Sequence, residues 1–322
     1  MRRVAILNDH EHQAQELADW SAVQTQCQVD VFHHPLHVPD EAAQVLAPYE
    51  VLCLVRERMA MPAALIERLP NLRFIAATGP SNRTIDLAAA HARGIQASHT
   101  LLREAGGRAA AELAWGLALS VARHITRCDG ELRQGIWGSR MGQGMFGTRL
   151  GLLGLGRIGR HMAAVGNAFG MEVVAWSQNL TEDVAAAAGA RLVPKDELLR
   201  TSDLLSLHLV LSERTQGIIG GGELASMKRS AILVNTSRGP LVDEAALIEA
   251  LRERRIAGAG LDVFDEEPFP AGHPLSRLDN VVLTPHLGFS ITEVFKGYYC
   301  DTVENVLAYL AGRPIRPLQP AP

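Results

Sequence analysis

The chain has little that would tie it to a membrane, a polyanion or an oxidising compartment. No apolar stretch in the sequence reaches the ~20 residues needed to cross a bilayer. Met1-Arg2-Arg3 runs straight into the strand-like Val4-Ala5-Ile6-Leu7 with no signal-peptide core, so a cytoplasmic location is expected. Neither sign of charge dominates: 31 Lys and Arg stand against 35 Asp and Glu, and the net charge of -4 offers no field for nucleic acid or an anionic membrane. The four cysteines, Cys27, Cys53, Cys128 and Cys300, are far apart and form no CxxC pair. That pattern argues for mostly buried free thiols in a reducing compartment, against a disulfide or catalytic-cysteine role. Repeats are missing as well, and 47% hydrophobic with 20% charged residues is the composition of an ordinary globular protein.

At 322 residues the chain exceeds what one core comfortably fills, so two domains with a cleft between them are expected. Short apolar runs alternate with helical patterns. Val4–Leu7, Val29–Phe32, Val51–Val55 and Leu72–Ala76 read as strands; Asp40–Leu46, Pro62–Leu69 and Ile85–Ala92 read as helices, with Pro62 in a first turn and Gly94 as a C-cap. This βαβ order implies a parallel sheet covered by helices. A long Ala- and Leu-rich helix, Ala109–Thr126, follows Gly106-Gly107, read as the joint to a second unit, and the boundary is placed near residue 99. The second unit repeats the grammar through Val173–Ala175, Arg191–Val193, Asp203–Leu207, Ile232–Asn235, Ala259–Val263 and Val281–Leu283. A last helix, Thr292–Leu310, is expected to return to the first unit before a tail carrying Pro314, Pro317, Pro320 and Pro322.

The segment Gly154-Leu155-Gly156-Arg157-Ile158-Gly159 follows the apolar run Leu150–Leu153 and opens a helical stretch reaching Phe169, with the next strand, Met171–Trp176, arriving on schedule. In that context the glycines have separate tasks. Gly154 permits the tight turn, Gly156 lets backbone approach a pyrophosphate, and Gly159 lets helix pack on strand, while the helix's first amides and dipole face the phosphates.

Three later segments each place a polar residue just past a strand: Asn235-Thr236-Ser237-Arg238-Gly239, Asp262 to Pro268, and Thr284-Pro285-His286-Leu287-Gly288. In open α/β sheets such ends face the ligand crevice. Arg238 offers a bidentate fork for a carboxylate, His286 a proton exchanged near neutral pH, and Glu267 a carboxylate to orient that ring. Together they are what reduction of a 2-oxo acid needs once a nicotinamide supplies hydride.

On these segments the chain resembles the D-isomer-specific 2-hydroxyacid dehydrogenases, over nearly its whole length. The resemblance implies two doubly wound parallel-sheet domains: a flavodoxin-like substrate domain formed by residues 1–98 with 290–322, and a Rossmann dinucleotide-binding domain at 99–289. It implies Arg238, Glu267 and His286 as the catalytic group and Gly154, Gly156, Arg157, Ile158, Gly159, Ser177 and Thr236 as the cofactor site, with Asp262 near the nicotinamide carboxamide. It also implies a homodimer joined through the nucleotide domains. The substrate carboxylate is expected on amides of the loop Thr78-Gly79-Pro80-Ser81-Asn82, where Pro80 has no N–H and Gly79, Ser81 and Asn82 remain as donors. Arg56, and less so Arg58, match the family's optional contacts to a polar substrate tail. Side-chain specificity would combine loops near Arg56, Ser81, Trp137 and Phe289.

Two departures stand out. NAD-preferring Rossmann domains usually carry Asp or Glu about 20 residues past the glycine loop; here Trp176-Ser177-Gln178-Asn179 has no carboxylate and no arginine. Preference between NAD and NADP is left open, with a lean to NAD on family frequency, Ser177 as the contact and Arg157 as a possible partner of a 2′-phosphate. In His208-Leu209-Val210-Leu211, valine stands where relatives commonly have proline, and His208 is a candidate for lining the cofactor crevice. The early histidines, His10, His12, His33, His34 and His37, lack the ligands that would complete a metal site, and none is expected. Formate oxidation has no use for a Glu-supported histidine. The chain also stops soon after Leu310, unlike phosphoglycerate dehydrogenases with an appended regulatory domain. The expectation is therefore a stand-alone reductase of glyoxylate, hydroxypyruvate or a related 2-oxo acid. Phosphite oxidation and a non-enzymatic NAD(H)-sensing role of the corepressor type are the alternatives.

Overall fold

The computed structural model describes all residues except 37, 102, 103, 139 and 320–322. His37 of the early histidine group, and Pro320 and Pro322 of the tail, lie outside the described residues. The chain divides into two compact units, Met1–Glu104 with Ile291–Pro322, and Ala105–Ser290. Among the described residues no helix is long and apolar enough to cross a membrane, and no group of three or more His, Cys, Asp and Glu could hold a metal ion. Cys27, Cys53, Cys128 and Cys300 are all free thiols, the first two buried.

In the first unit, strands β1 (Arg2–Leu7), β2 (Cys27–Val31), β3 (Val51–Leu54), β4 (Phe74–Ala77) and β5 (Gln96–His99) form one sheet in the order β2-β1-β3-β4-β5. Every pairing is parallel, which is the flavodoxin-like arrangement. β3 and β4 are buried at every position, as their unbroken apolar runs require of strands covered on both faces. Leu46, Leu52, Leu54, Ile66, Leu69 and Ile75 build the core. The C-terminal helix Thr292–Leu310 belongs to this unit, stacking Tyr309 on Phe74 with ring centroids 4.5 Å apart.

Two local readings change. The helix expected over Pro62–Leu69 is the single turn Ala63–Ile66, with Pro62 extended before it. β5 was not legible, because Gln-Ala-Ser-His is no apolar run; its pairing with β4 makes it a strand. Gly94, at φ 69°, follows the helix Leu87–Ala92 as expected of a C-terminal glycine.

The second unit contains β6 (Arg149–Leu153), β7 (Glu172–Trp176), β8 (Arg191–Leu192), β9 (Leu204–Leu207), β10 (Ile232–Asn235), β11 (Gly258–Leu261) and β12 (Val281–Leu283). They pair in the order β12-β11-β10-β9-β6-β7-β8 and all run parallel. Counted from β6, this is the dinucleotide-binding order with one further strand at the edge, and the direction of winding reverses between β6 and β9. Separate apolar cores cover the two faces.

Gly106 and Gly107, read from sequence as a joint, lie inside the helix Glu104–Ala122. The reason is packing: a Cβ on Gly107 would come within 2.7 Å of the Arg157 side chain. Thr126 belongs to a separate helix, Ile125–Arg133, because His124 between the two is left-handed at φ 54°.

Candidate active site

The carboxyl ends of β6, β9 and β10 and the connections after β11 and β12 bring together the chemistry-bearing segments of the second unit. Gly154 leaves β6 at φ 107°, and a Cβ there would lie 2.6 Å from the carbonyl oxygen of His208. A Cβ on Gly159 would lie 2.3 Å from the carbonyl oxygen of Gly154. The protein itself therefore demands glycine at both places. Gly156 differs: it caps the 12-residue helix Arg157–Ala168, and a Cβ there would meet nothing within 4 Å. Open space over the first amides of a helix is the cradle a pyrophosphate fits. Ile158 packs on the sheet core, while the Arg157 side chain lies across Gly107.

Further polar groups stand just past the neighbouring strands of the same sheet. Thr236, just past β10, has a buried hydroxyl with no hydrogen-bond partner. His208, just past β9, sets Nε2 2.9 Å from Ser206 Oγ and has an unpartnered, buried Nδ1. Burial pushes His208 down to about 4, so the ring is neutral. Ser177 follows β7, half-buried, and its carbonyl accepts the Leu180 amide at 3.1 Å, forming the turn that carries exposed Gln178 and Asn179.

His286 and Glu267 meet directly: Nδ1 is 2.6 Å from Oε2, and Oε1 accepts the Phe264 amide at 3.0 Å. The imidazole is left-handed at its backbone, φ 56°, and edges onto the Phe289 ring at 5.8 Å. Burial works to raise the Glu267 carboxyl, but the hydrogen bond and charge of His286, the Phe264 amide and the charge of Arg238 together hold it below the usual carboxylate range. Arg238 donates from Nη1 to the Ser237 carbonyl at 2.7 Å, and its own carbonyl accepts Asn235 Nδ2 at 2.9 Å. The next residue, Gly239, passes so close to another loop that a Cβ would lie 2.1 Å from the Phe264 carbonyl carbon. That crossing brings the arginine loop against the loop carrying Glu267. Gly239 and Asn235 thus serve the site without touching its chemistry, and their only sequence signal was adjacency to Arg238.

Asp262 is fully buried. Its carboxylate accepts the Thr284 hydroxyl at 2.6 Å and the amides of Leu287 and Gly288 at 2.7 and 2.8 Å. Burial, opposed by those three donors, keeps its carboxyl above the ordinary aspartate range. Both Asp262 oxygens hold the loop that presents His286.

In the first unit, Arg56 follows β3 at φ 52°, its amide donating to Thr78 Oγ1 and its carbonyl accepting Asn82 Nδ2, both at 2.7 Å. Its guanidinium lies on Gly79, 1.6 Å from where a Cβ would stand. Gly79 itself, at φ 85°, donates its amide to Thr100 Oγ1 at 2.7 Å, so it is not the donor expected for a substrate carboxylate. Ser81, exposed, and Asn82, buried, remain as that loop's candidate amides. Arg58 is committed elsewhere, forked onto Glu11.

Comparison with known proteins matches these features. Residues 115–288 fit the profile of the D-isomer specific 2-hydroxyacid dehydrogenase NAD binding domain. A glyoxylate reductase of Aeropyrum pernix is 38% identical over 286 residues, covering 83% of this chain and 84% of the relative. A D-3-phosphoglycerate dehydrogenase of Methanocaldococcus jannaschii is 37% identical across 85% of this chain, which spans 52% of that longer protein. Among solved structures, a phosphoglycerate oxidoreductase from Vibrio cholerae superposes with a TM-score of 0.90 at 32% identity, covering 97% of this chain and all of that one. The chain belongs to the D-isomer-specific 2-hydroxyacid dehydrogenases, oxidoreductases that move a hydride between a nicotinamide cofactor and 2-hydroxy or 2-oxo acids.

Proposed function

We propose that this protein is a reductase of small 2-oxo acids, with glyoxylate and hydroxypyruvate as the first substrates to test. The observation that carries the reading is the contact between His286 and Glu267. With Nδ1 engaged, Nε2 is the nitrogen that holds the transferable proton. His286 passes it to the substrate carbonyl oxygen, and Glu267 orients the ring. Arg238 holds the substrate and stabilises the charge that develops at that oxygen. A bound dihydronicotinamide supplies the hydride. Gly156 and the first amides of the following helix hold its pyrophosphate, with Thr236 beside it. In the first unit, Arg56 and the amides of Ser81 and Asn82 receive the carboxylate. The curated relatives named glyoxylate reductase, from Aeropyrum pernix and Thermococcus litoralis, support the choice of substrate.

NAD is the proposed cofactor, with Ser177 facing the adenosine ribose. The proposed assembly is a homodimer through the nucleotide unit; the exposure of Trp137, Met141 and Phe146, 91%, 98% and 86%, supports that reading. Following NADH absorbance with purified protein and a panel of 2-oxo acids tests the reading. Turnover of glyoxylate or hydroxypyruvate supports it; tight cofactor binding with no turnover of any acid replaces it with a sensing role.

A further inference from the structure

The loops leaving β1 and β3 in the first unit are tied together by a charged fork that the proposed reaction does not use. The two strands are paired neighbours, with Leu7 opposite Leu54, and the winding of the sheet reverses between them. That is where open parallel sheets receive ligands. Asn8 and Arg56, just past them, are both left-handed, at φ 58° and 52°, a conformation that non-glycine residues keep only when their surroundings impose it.

The surroundings are specific. Arg58 sends Nη1 to Glu11 Oε2 at 2.8 Å and Nη2 to Glu11 Oε1 at 2.5 Å, and Nη1 also donates to the Asn8 carbonyl at 2.8 Å. Its guanidinium sits 5.6 Å from the centre of the Phe295 ring. One turn along the same helix, the Tyr299 hydroxyl donates to Asp9 at 2.8 Å, and Asp9 accepts the amides of Gln13 and Ala14. The loop after β1 is therefore held at Asn8, Asp9 and Glu11, and the fork links it to the segment holding Arg56. Stability alone is a poor account of the fork. The Arg58 and Glu11 side chains are only 16% and 26% exposed, and removing two charges from water this far offsets most of their attraction.

We propose that the Glu11–Arg58 pair is a positioning element for substrate, fixing the segment after β3 so that the Arg56 guanidinium stays on Gly79 beside the amides that receive the substrate carboxylate. The inference rests on the reading of Arg56, Ser81 and Asn82 as the anion site. It assigns Glu11 and Arg58 to recognition of the acid, with no part in hydride or proton transfer.

Steady-state kinetics of the whole 322-residue chain at saturating NADH, with glyoxylate and hydroxypyruvate varied, test it in Glu11→Gln, Arg58→Lys and the double variant Glu11→Gln/Arg58→Met, which removes both charges of the pair together. Each single change raises KM for the acid about tenfold, the effect of losing roughly one well-made hydrogen bond. The expected kcat stays within about twofold and KM for NADH does not move, because the fork orients only the acid. The double variant is no worse than either single, as residues acting as a unit are not additive. Lower melting temperatures with an unchanged KM for the acid overturn the inference and make the fork structural. Arg56→Met separates the two ideas: an unchanged KM there removes the anion-site reading itself, whereas a raised KM with Glu11→Gln silent removes only the positioning role. A protein that turns over neither acid refutes both.

Discussion

Glu267 divides its carboxylate between two loops, one oxygen 2.6 Å from His286 Nδ1 and the other 3.0 Å from the Phe264 amide. The second contact anchors the carboxylate to its own loop, so the first can dictate the direction of the ring. The histidine loop is fixed independently, by the three donors that converge on buried Asp262. The orientation of the imidazole is thus set from both sides.

His286→Ala removes the proton donor and leaves the glycine cradle untouched. We expect kcat to fall by at least about 100-fold, the usual contribution of general acid catalysis, with NADH affinity by fluorescence titration unchanged. An unaltered rate would move proton transfer to another group.

Glu267→Gln should lower kcat less than His286→Ala, because the proton donor is kept and only its orientation is loosened. It also bears on stability. The Glu267 carboxyl is held below its ordinary range in the fold. Its contribution is therefore present above the unfolded value of about 4.3 and is lost as pH falls through the folded value. Urea midpoints of wild type and variant should converge as the pH is taken below about 4. A gap that widens with acid contradicts this linkage.

Arg238→Lys keeps the charge and loses the planar fork, so a raised KM for the acid and a reduced kcat are expected together. Gly239→Ala acts without touching substrate. Its Cβ would fall 2.1 Å from the Phe264 carbonyl carbon, forcing the arginine loop away from Glu267. Both kcat and the melting temperature should drop; a fully active, stable alanine variant would show that the loops need not cross so closely.

Gly156→Ala and Gly159→Ala should part company. The first adds a methyl where nothing lies within 4 Å, so the melting temperature is kept while KM for NADH rises by about tenfold or more as the phosphate approach is obstructed. The second places a methyl 2.3 Å from the Gly154 carbonyl and should destabilise the fold as well. Equal effects on stability would argue that the space at Gly156 is not a phosphate site.

Measured KM values for NADH and NADPH decide the cofactor. With no carboxylate among Trp176, Ser177, Gln178 and Asn179, repulsion of a 2′-phosphate is missing and discrimination should be modest, in favour of NADH. A strong preference for NADPH would implicate a basic group, with Arg157 the first to mutate.

Much of the fold was legible in the chain because its determinants are local. Unbroken apolar runs such as Val51–Leu54 and Phe74–Ala77 declare strands buried on both faces, and the periodic pattern of Thr292–Leu310 declares a helix. Where the signal was not local the sequence was silent: β5 is a strand only because β4 lies beside it, and Gly106-Gly107, next to the division of the chain at Glu104, lie within a helix with Arg157 packed on Gly107. The order of residue types along the sequence determined which groups stand at strand ends, including Arg238, Glu267 and His286. Tertiary structure alone decided which of them touch, that the Gly79 amide is consumed by Thr100, and that Asp262 serves the histidine loop. The reason is physical: hydrophobic periodicity is written between near neighbours, whereas hydrogen-bond partners 20 or more residues apart are chosen by strand order and by where a missing Cβ lets two backbones meet.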